Sequence, residues 1–385
     1  MKKILFVIDS LNCGGAEKSL LSLLSLLNKE KYHIHIWILH KGGVLEKLLP
    51  KHIIQIKESH YSFLDKLLWL KCQIIFSFMI RIKRLFGKKE HGAETLWKTN
   101  NKAFKSTLNI YDVAIAYQQG LPTYLVANKI KARKKIAWIN TNLCDAGYNI
   151  EFNLPFYQLL DKIIMVSDDL KSIMCKHYPL FNNKSLCIYD IINPSLIKDM
   201  AAEPINDIII DNSSVLLLTV GRLVSIKGYD LLIEAARILK KKNFPFRWYI
   251  IGIGNEEVNI RKQIIEYDLN KQVILLGLKT NPYPYMRQCD IYVQTSRFEG
   301  FGLTIAEAKI LQKPIISTNF DVVYNQITPN TNGIITEMNG KSIAKSIIEL
   351  NNNRQMRQLF ISNLKKEQNT TSITEIEKIE QLLDT

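Results

Sequence analysis

The chain has 385 residues, a formal net charge of +15, 47% apolar residues and a mean hydropathy of −0.03. This length is enough for two domains with their own hydrophobic cores, and the apolar content excludes an intrinsically disordered chain. No run of about 18 apolar residues occurs, which excludes a membrane-spanning helix, and the six cysteines form no C-x-x-C pair that would indicate structural zinc.

The first half begins with a predicted buried strand and a glycine-bearing turn. Lys3–Ile8 is a short, mainly apolar run, as expected of a parallel strand covered on both faces. Gly14 and Gly15 follow, and then leucines at helical spacing, so the turn suits the approach of a phosphate group, although a plain tight turn fits equally well. Later strands are predicted at His33–Leu39, Val113–Tyr117 and Lys135–Ile139. This alternation predicts an open α/β sheet with ligands at the carboxyl ends of its strands.

Residues 63–89 combine aromatic and aliphatic side chains with flanking Lys and Arg. The apolar stretch between Lys71 and Arg81 is far too short to cross a bilayer. We predict a helix that lies in the headgroup region of an anionic membrane. The charge agrees, because residues 1–200 contain 29 Lys and Arg against 16 Asp and Glu, whereas residues 201–385 contain 22 against 20. A buried helix with a solvated basic end is the alternative.

The second half repeats the strand-and-turn pattern with cations in the turn. Val215–Val220 is a predicted buried strand, and Arg222 and Lys227 follow it between two glycines. A guanidinium offers a fork for pairs of oxygens and an ammonium offers a compact charge, so the two can hold a diphosphate. A later strand ends in Gly252-Ile-Gly254, but Glu257 stands where a dinucleotide fingerprint has its third glycine, which disfavours an NAD site.

Two carboxylates, Glu299 and Glu307, flank a glycine-bearing turn and the predicted start of a helix. Backbone amides at such a turn suit a phosphorylated, hydroxyl-rich ligand. The alternative needs no ligand, since Ser296 with Glu299 and Thr304 with Glu307 both fit the capping-box pattern. This stretch alone does not separate the two interpretations.

Four motifs together resemble the retaining glycosyltransferases of family 4, close to bacterial enzymes that build capsule, exopolysaccharide or O-antigen chains. The motifs are Gly-Gly-Ala-Glu near the N-terminus, Gly221-Arg222 with Lys227-Gly228, Gly277 before Asn-Pro-Tyr-Pro-Tyr, and Glu299-x7-Glu307. The resemblance implies an α/β GT-B fold with two Rossmann-like domains facing across a cleft. It implies an acceptor-binding domain at 1–195, a donor-binding domain at 205–365, and a helical tail at 366–385 packing back toward the first domain.

The resemblance also implies roles for individual residues. Arg222 and Lys227 would hold the donor diphosphate, Glu299 would face the transferred sugar, and Glu307 would accept the ribose hydroxyls. The other implied substrate-binding positions are Gly14, Gly15, Asn140, Gly277, Leu278, Gly300, Phe301, Gly302 and Leu303. Many relatives have a histidine where this chain has Asn140, and asparagine can hydrogen-bond a hydroxyl but cannot exchange a proton, so it would only position the substrate.

The implied function is transfer of a hexose or N-acetylhexosamine from a UDP-linked nucleotide sugar to a polyprenyl-linked or other lipid-linked glycan. No cofactor or metal is implied, and no Asp-x-Asp motif occurs. The protein would be cytoplasmic, attached through 63–89 to the anionic inner face of the cytoplasmic membrane, and would not bind nucleic acid. The alternatives are a GT-B-fold sugar-nucleotide epimerase and a non-catalytic basic membrane-associated protein.

Overall fold

The computed structural model describes residues 1–12, 14–56, 70–79, 81, 91–210, 213–367 and 370–385. Most of the predicted membrane segment 63–89 lies outside the described residues. The chain forms two compact units, one of Met1–Ile192 with Thr371–Thr385 and the other of Asn193–Thr370. The C-terminal residues therefore belong to the first unit.

The first unit is built on a parallel sheet of seven strands in the order β3-β2-β1-β4-β5-β6-β7. Its strands are β1 (Lys2–Ser10), β2 (Tyr32–His40), β3 (Ile54–Gln55), β4 (Ile110–Ala116), β5 (Lys131–Ile139), β6 (Lys162–Met165) and β7 (Ser185–Cys187). Its helices include α1 (Gly15–Leu26), α2 (Gly92–Asn100), α3 (Leu121–Asn128), α4 (Ile150–Gln158) and α5 (Asp168–His177). Residues 70–79 are also helical.

The second unit has a parallel sheet of six strands in the order β10-β9-β8-β11-β12-β13. Its strands are β8 (Val215–Val220), β9 (Phe246–Ile251), β10 (Val273–Gly277), β11 (Ile291–Gln294), β12 (Ile315–Thr318) and β13 (Ile334–Thr336). Its helices are α6 (Pro194–Met200), α7 (Tyr229–Lys241), α8 (Glu257–Glu266), α9 (Tyr283–Gln288), α10 (Leu303–Ile310), α11 (Gly340–Asn352) and α12 (Arg354–Lys366). Short 3₁₀ turns lie at Glu46–Leu48, Pro179–Phe181, Ser225–Lys227 and Asp321–Asn325.

The central strands are buried on both faces, which explains their continuous apolar sequences. Residues Ile4–Ile8 of β1 are fully buried, and so is Leu217 in β8. Helices on both faces of a parallel sheet leave no solvent-exposed side that would call for alternating polar residues. The predicted strands Lys3–Ile8 and Val215–Val220 are confirmed, and so is the α/β fold class.

The last helix, α13 (Thr370–Asp384), packs on the first unit. Its Glu375 is buried, and the Oε2 atom accepts a hydrogen bond from the backbone amide of Tyr189 at 2.9 Å. At the other end, Lys134 Nζ lies 2.7 Å from the carbonyl oxygen of Leu382, and Lys2 Nζ lies 3.0 Å from that of Leu383. Cations at a helix C-terminus satisfy its last carbonyls and its negative dipole end, so these lysines anchor α13 to β1 and β5.

In each sheet, successive strands are added first on one side of the initial strand and then on its other side. In the first unit the neighbours of β1 are β2 and β4, and in the second unit the neighbours of β8 are β9 and β11. Loops that follow the two strands at such a point diverge to opposite faces and leave a crevice at the carboxyl ends, where open α/β sheets bind ligands. Gly14 and Gly15 follow β1, and Arg222 and Lys227 follow β8, at these points.

Candidate active site

In the second unit, the predicted site residues follow the carboxyl ends of β8, β10 and β11. Arg222 and Lys227 lie in the loop after β8, Gly277 ends β10, and Glu299 lies in the turn after β11. Because β8 and β11 are paired in the sheet, the segments that follow them start side by side. The sheet topology therefore brings the cationic loop to the carboxylate-bearing turn.

The two loops touch backbone to backbone at Gly228. Gly228 has φ +65, and a Cβ atom at this position would lie 2.1 Å from the carbonyl oxygen of Thr295. The Thr295 hydroxyl in turn donates to the carbonyl oxygen of Lys227 at 2.9 Å. Glycine is required here both by the left-handed backbone and by the close approach, and this contact sets the distance between the two loops.

Lys227 and Glu299 form an ion pair, with 2.5 Å between Nζ and Oε1. Their side chains are 18% and 11% exposed, so the pair is shielded from much of the solvent. The same Oε1 accepts hydrogen bonds from Gln294 Nε2 and Ser296 Oγ, each at 2.6 Å. All three hydrogen bonds that reach this carboxylate from described residues end on Oε1, which leaves Oε2 as the oxygen offered to a ligand.

A second ion pair ties the same two loops together at the surface. The Arg297 guanidinium binds Asp230 in bidentate geometry, with N–O distances of 2.8 and 2.6 Å, and also donates to the carbonyl oxygen of Ser225 at 3.1 Å. These hydrogen bonds lower the pKa of Asp230, although burial opposes the shift. The pair is about half exposed, and exposed pairs contribute little stability, so its effect is to orient the loops.

Arg222 stands apart from these pairs. Its side chain is exposed, and its guanidinium makes no hydrogen bond or ion pair with any residue that the structure describes. A guanidinium at the end of a central strand with no protein partner is available to a pair of ligand oxygens. The anion-binding role of Arg222 stays a prediction, and its exposed position after β8 is compatible with it.

Both capping-box interpretations are wrong. Helix α10 begins at Leu303 with Gly302 as its N-cap, which has φ +84 and no side-chain cap, so Thr304 lies inside the helix. Ser296 donates to the Glu299 carboxylate and caps no helix. The amides of Leu303 and Thr304 precede the first hydrogen bond of α10, which runs from the Ile305 amide to the carbonyl oxygen of Gly302. They lie at the positive dipole end of the helix, so the turn formed by Gly300, Phe301 and Gly302 leads into a helix terminus that suits an anion.

Glu307 lies within α10 and is 2% exposed. Its Oε1 accepts a hydrogen bond of 2.9 Å from the hydroxyl of Tyr283, a residue of α9 that sequence reasoning did not select. Gly277 has φ +70 at the end of β10, and the adjacent Leu278 is 41% exposed. The hydroxyl of Tyr283 thus fixes the direction of the Glu307 carboxylate.

In the first unit, the predicted residues lie at the carboxyl ends of β1 and β5. Gly14 is the N-cap of α1 and Gly15 its first residue. Asn140 follows β5, and its Nδ2 donates to the carbonyl oxygen of Tyr117 at 3.0 Å. Its Oδ1 is buried, and no described residue donates to it. The amide is therefore held in one orientation, consistent with positioning and not proton transfer.

Asp190 is a titratable group near this edge that sequence reasoning missed. Burial raises its pKa to about 7, and the nearby charge of Glu17 adds to the shift, while a hydrogen bond from Ser19 opposes it. The Ser19 hydroxyl also lies 3.1 Å from that of Tyr117 and accepts from the amide of Ile191 at 3.0 Å. No sequence pattern marks Asp190, because tertiary packing alone creates its environment.

Within the described ranges, no group of three or more His, Cys, Asp or Glu side chains is arranged to hold a metal ion. None of the helices in the part of the chain that the structure covers is both long and apolar enough to cross a membrane.

Residues 203–367 match the family described as Glycosyl transferases group 1. The match covers 165 of the 385 residues, which is less than half of the chain. It includes β8 to β13 and therefore the Lys227–Glu299 pair, Arg222 and the N-terminus of α10. The predicted relation to glycosyltransferases is confirmed.

The chain is similar to several bacterial glycosyltransferases. A poly(ribitol-phosphate) alpha-N-acetylglucosaminyltransferase of Staphylococcus aureus is 34% identical over 40% of this chain and 33% of its own length. The capsular polysaccharide biosynthesis glycosyltransferase CapM of S. aureus is 27% identical over 40% of this chain and 41% of its own. An N-acetylgalactosamine-N,N'-diacetylbacillosaminyl-diphospho-undecaprenol 4-alpha-N-acetylgalactosaminyltransferase of Campylobacter jejuni is 25% identical over 83% of this chain and 81% of its own. The matches to the first three curated relatives span 33, 41 and 54% of their lengths.

Among solved structures, the Anabaena protein HepE in complex with UDP and glucose superposes with a TM-score of 0.69. The match covers all of both chains at 18% identity. At this identity the likeness concerns the fold, and it confirms the predicted GT-B class. The residues that match the Glycosyl transferases group 1 family thus include the candidate site of the second unit.

Proposed function

We propose that the protein transfers a hexose or N-acetylhexosamine from a UDP-linked nucleotide sugar to a lipid-linked glycan in bacterial surface polysaccharide synthesis, with retention of anomeric configuration. The observation that carries the proposal is that the loop after β8 supplies both Lys227, which pairs with Glu299, and Arg222, whose guanidinium has no partner among the described residues. Cations bind the diphosphate group, and a carboxylate accepts hydrogen bonds from sugar hydroxyls. The site can therefore bind both the diphosphate and the sugar of a nucleotide sugar.

The proposed chemistry follows from the movement of charge. When the anomeric C–O bond breaks, its electron pair leaves with the nucleotide diphosphate, and negative charge grows on the departing oxygen. Arg222, Lys227 and the first amides of α10 are fixed donors that stabilise this charge. The acceptor hydroxyl attacks the same face of the sugar, and its proton passes to the leaving phosphate. This proposal requires no metal or cofactor.

Glu299 is assigned to the sugar and not to covalent catalysis. Its Oε1 is occupied by three donors, so Oε2 remains to bind a sugar hydroxyl or to stabilise positive charge on the reacting ring. Glu307 is assigned to the ribose hydroxyls, and Gly277 with Leu278 to the edge of the base. The first unit is assigned to the acceptor. Of its residues, Gly14 and Gly15 are assigned to the donor diphosphate and Asn140 to a sugar hydroxyl.

The identities of donor and acceptor rest on the similar proteins. UDP and glucose occupy the HepE structure, and the C. jejuni relative is named for an undecaprenol-linked substrate. A hydroxyl-rich acceptor on a polyprenyl carrier would require the enzyme to work at a membrane surface. We assign that surface to the cytoplasmic face of the inner membrane.

The helical residues 70–79 support this membrane assignment. Leu70, Ile74 and Phe78 are spaced by four residues, so they share one helix face, and they are 58, 63 and 64% exposed. Cys72, outside this row, is 6% exposed, so the helix packs through another face. An exposed apolar row beside Lys71 and Arg81 is the pattern of a helix lying in an anionic headgroup layer.

Phe78→Glu is expected to weaken binding to phosphatidylglycerol vesicles about tenfold, because it removes one aromatic side chain that would enter the membrane and adds a negative charge. Vesicle co-sedimentation measures this. Leu108→Glu is the matched control, since Leu108 is 88% exposed and does not belong to this helix. Equal binding by Phe78→Glu, Leu108→Glu and the unchanged protein would contradict the assignment.

The function itself is tested by incubating the protein with UDP- and GDP-sugars and an undecaprenyl-diphosphate-linked acceptor, with nucleotide release as the readout. Release that depends on the acceptor is expected with a UDP-sugar. Arg222→Ala should lower kcat/KM about 10²-fold, because one preorganised donor to the leaving group is lost, with little change in unfolding temperature, since the side chain is exposed.

Arg287→Ala is the matched control, because Arg287 is exposed on α9. Turnover without an acceptor would instead favour the epimerase, and no release with any donor and acceptor would overturn the proposal. Equal activity of Arg222→Ala and Arg287→Ala would remove Arg222 from the site.

A further inference from the structure

Gln294, at the end of β11, is a polar side chain in a buried position. It is 2% exposed, and its carboxamide is fully engaged in hydrogen bonds. Its Nε2 donates to Glu299 Oε1 at 2.6 Å and to Ser296 Oγ at 2.8 Å. Its Oε1 accepts from the hydroxyl of Tyr292 at 2.6 Å and from that of Thr304 at 3.2 Å. A primary amide has two N–H donors and two acceptor lone pairs, so this network uses all four.

The network permits one orientation of the amide. Rotation by half a turn would place the carbonyl oxygen of Gln294 against the carboxylate oxygen of Glu299, two acceptors facing each other. Burial raises the pKa of Tyr292 well above its usual value, so its hydroxyl keeps its proton and remains a donor toward Gln294. The donor side of the amide is therefore always directed at Glu299.

The three donors to Glu299 differ in how firmly they are held. Lys227 has a flexible four-carbon side chain on a loop, and the Ser296 hydroxyl can redirect its hydrogen by rotation about the C–O bond. Gln294 is part of a strand of the parallel sheet and is locked by Tyr292 and Thr304. The orientation of the Glu299 carboxylate thus depends most on Gln294.

We propose that Gln294 is a positioning residue that holds Glu299 through Oε1 and thereby directs Oε2 toward the transferred sugar. The proposal rests on the role of Glu299 in the proposed function. It predicts a separation of effects, because the diphosphate would be held by cations and by the amides of α10, whereas the donor side of Gln294 reaches only Glu299 and Ser296. Loss of Gln294 should lower kcat and leave UDP affinity nearly unchanged.

Gln294→Met removes the amide while keeping the length of the side chain. We expect kcat to fall about 10-fold to 100-fold, since a displaced catalytic group loses most of its effect. The dissociation constant of UDP, measured by calorimetry, should change less than about twofold. A lower unfolding temperature is also expected, because the Tyr292 and Thr304 hydroxyls lose their acceptor.

Gln294→Glu supplies a test that does not depend on the stability of the methionine variant. At high pH it would place a second carboxylate beside Glu299, and two adjacent carboxylates resist simultaneous ionisation. When protonated, the new side chain can again donate to Glu299 and still accept from Tyr292. Activity relative to the unchanged protein should therefore recover at least about tenfold as pH falls from about 8 to about 6.

Gln288→Glu, which places the same substitution on the exposed end of α9, is the matched control and should show no such recovery. A pH-independent loss in Gln294→Glu, or loss of UDP affinity in parallel with kcat in both Gln294 variants, would overturn the positioning role. These outcomes require turnover by the unchanged protein. If that protein shows no acceptor-dependent turnover, the proposed function fails instead, so the two failures are distinguishable.

Discussion

Lys227→Met is expected to lower kcat/KM by about 10³-fold, the upper range for removing one preorganised electrostatic donor. Two losses combine in this variant. The cation that would meet the leaving diphosphate disappears, and Glu299 loses its shortest hydrogen bond, at 2.5 Å. Because the carboxylate retains Gln294 and Ser296 as donors, the free energy of unfolding should fall by only about 1–3 kcal/mol.

Steady-state kinetics with the donor and acceptor, together with thermal unfolding, separate these two effects. Lys240→Met is the matched control, because Lys240 forms an ion pair with Asp268 at 2.7 Å on the surface of the same unit. That variant should keep full activity. If Lys227→Met kept more than about half of the activity, the assignment of charge stabilisation to Lys227 would be wrong.

Gly228→Ala is expected to destabilise the second unit by more than about 3 kcal/mol. The substitution combines a left-handed backbone with a Cβ atom only 2.1 Å from the carbonyl oxygen of Thr295, so the two loops must separate. For a unit of this size, that loss lowers the unfolding temperature by about 6–12 °C. Activity should be lost even below the transition, because separation of the loops moves Lys227 away from Glu299.

Gly277→Ala measures the cost of a left-handed backbone without a steric clash. Gly277 has nearly the same φ, +70, but a Cβ atom there would have no neighbour within 4 Å. This substitution should lower the free energy of unfolding by about 1–2 kcal/mol, which is the cost of the left-handed conformation alone. Denaturant unfolding of both variants measures the difference. Equal destabilisation would show that the approach of Thr295 to Gly228 does not set the loop spacing.

The sequence predicted the framework of the site well because that framework depends on local pattern. A buried parallel strand is mainly apolar, as Val215–Val220 is apart from Thr219, and the polar residues that follow it must lie at the sheet edge. Arg222 and Lys227 were located in this way. Lys227 can pair with Glu299 because β8 and β11 are adjacent in the sheet. No short sequence motif indicates that these two strands are adjacent.

Three features could not be predicted because they arise from packing between distant segments. Gln294 appears in the sequence as an ordinary polar residue at the end of a strand, and only the fold shows that it is buried beneath Glu299. Tyr283 meets Glu307 from a different helix. Asp190 acquires its raised pKa from burial near α1, far away in the chain.

The capping-box interpretation of Thr304 and Glu307 is wrong because of where the helix begins. The spacing of Thr304 and Glu307 satisfies the pattern, but the helix begins at Leu303, so the pattern is shifted relative to the helix start. A glycine at the N-cap takes the place of the hydroxyl residue. The amides that a serine or threonine would have covered therefore stay accessible to a ligand.

The return of α13 to the first unit has a consequence for biosynthesis. The first unit contains the earliest residues of the chain and also its last helix, whose Glu375 and Leu382 bind Tyr189 and Lys134. Translation must pass through all of residues 193–370 before that helix emerges from the ribosome. Synthesis of the first unit thus begins before that of the second unit and is completed after it. Until α13 has been synthesised, the surface of the first unit that receives this helix stays uncovered on the nascent chain.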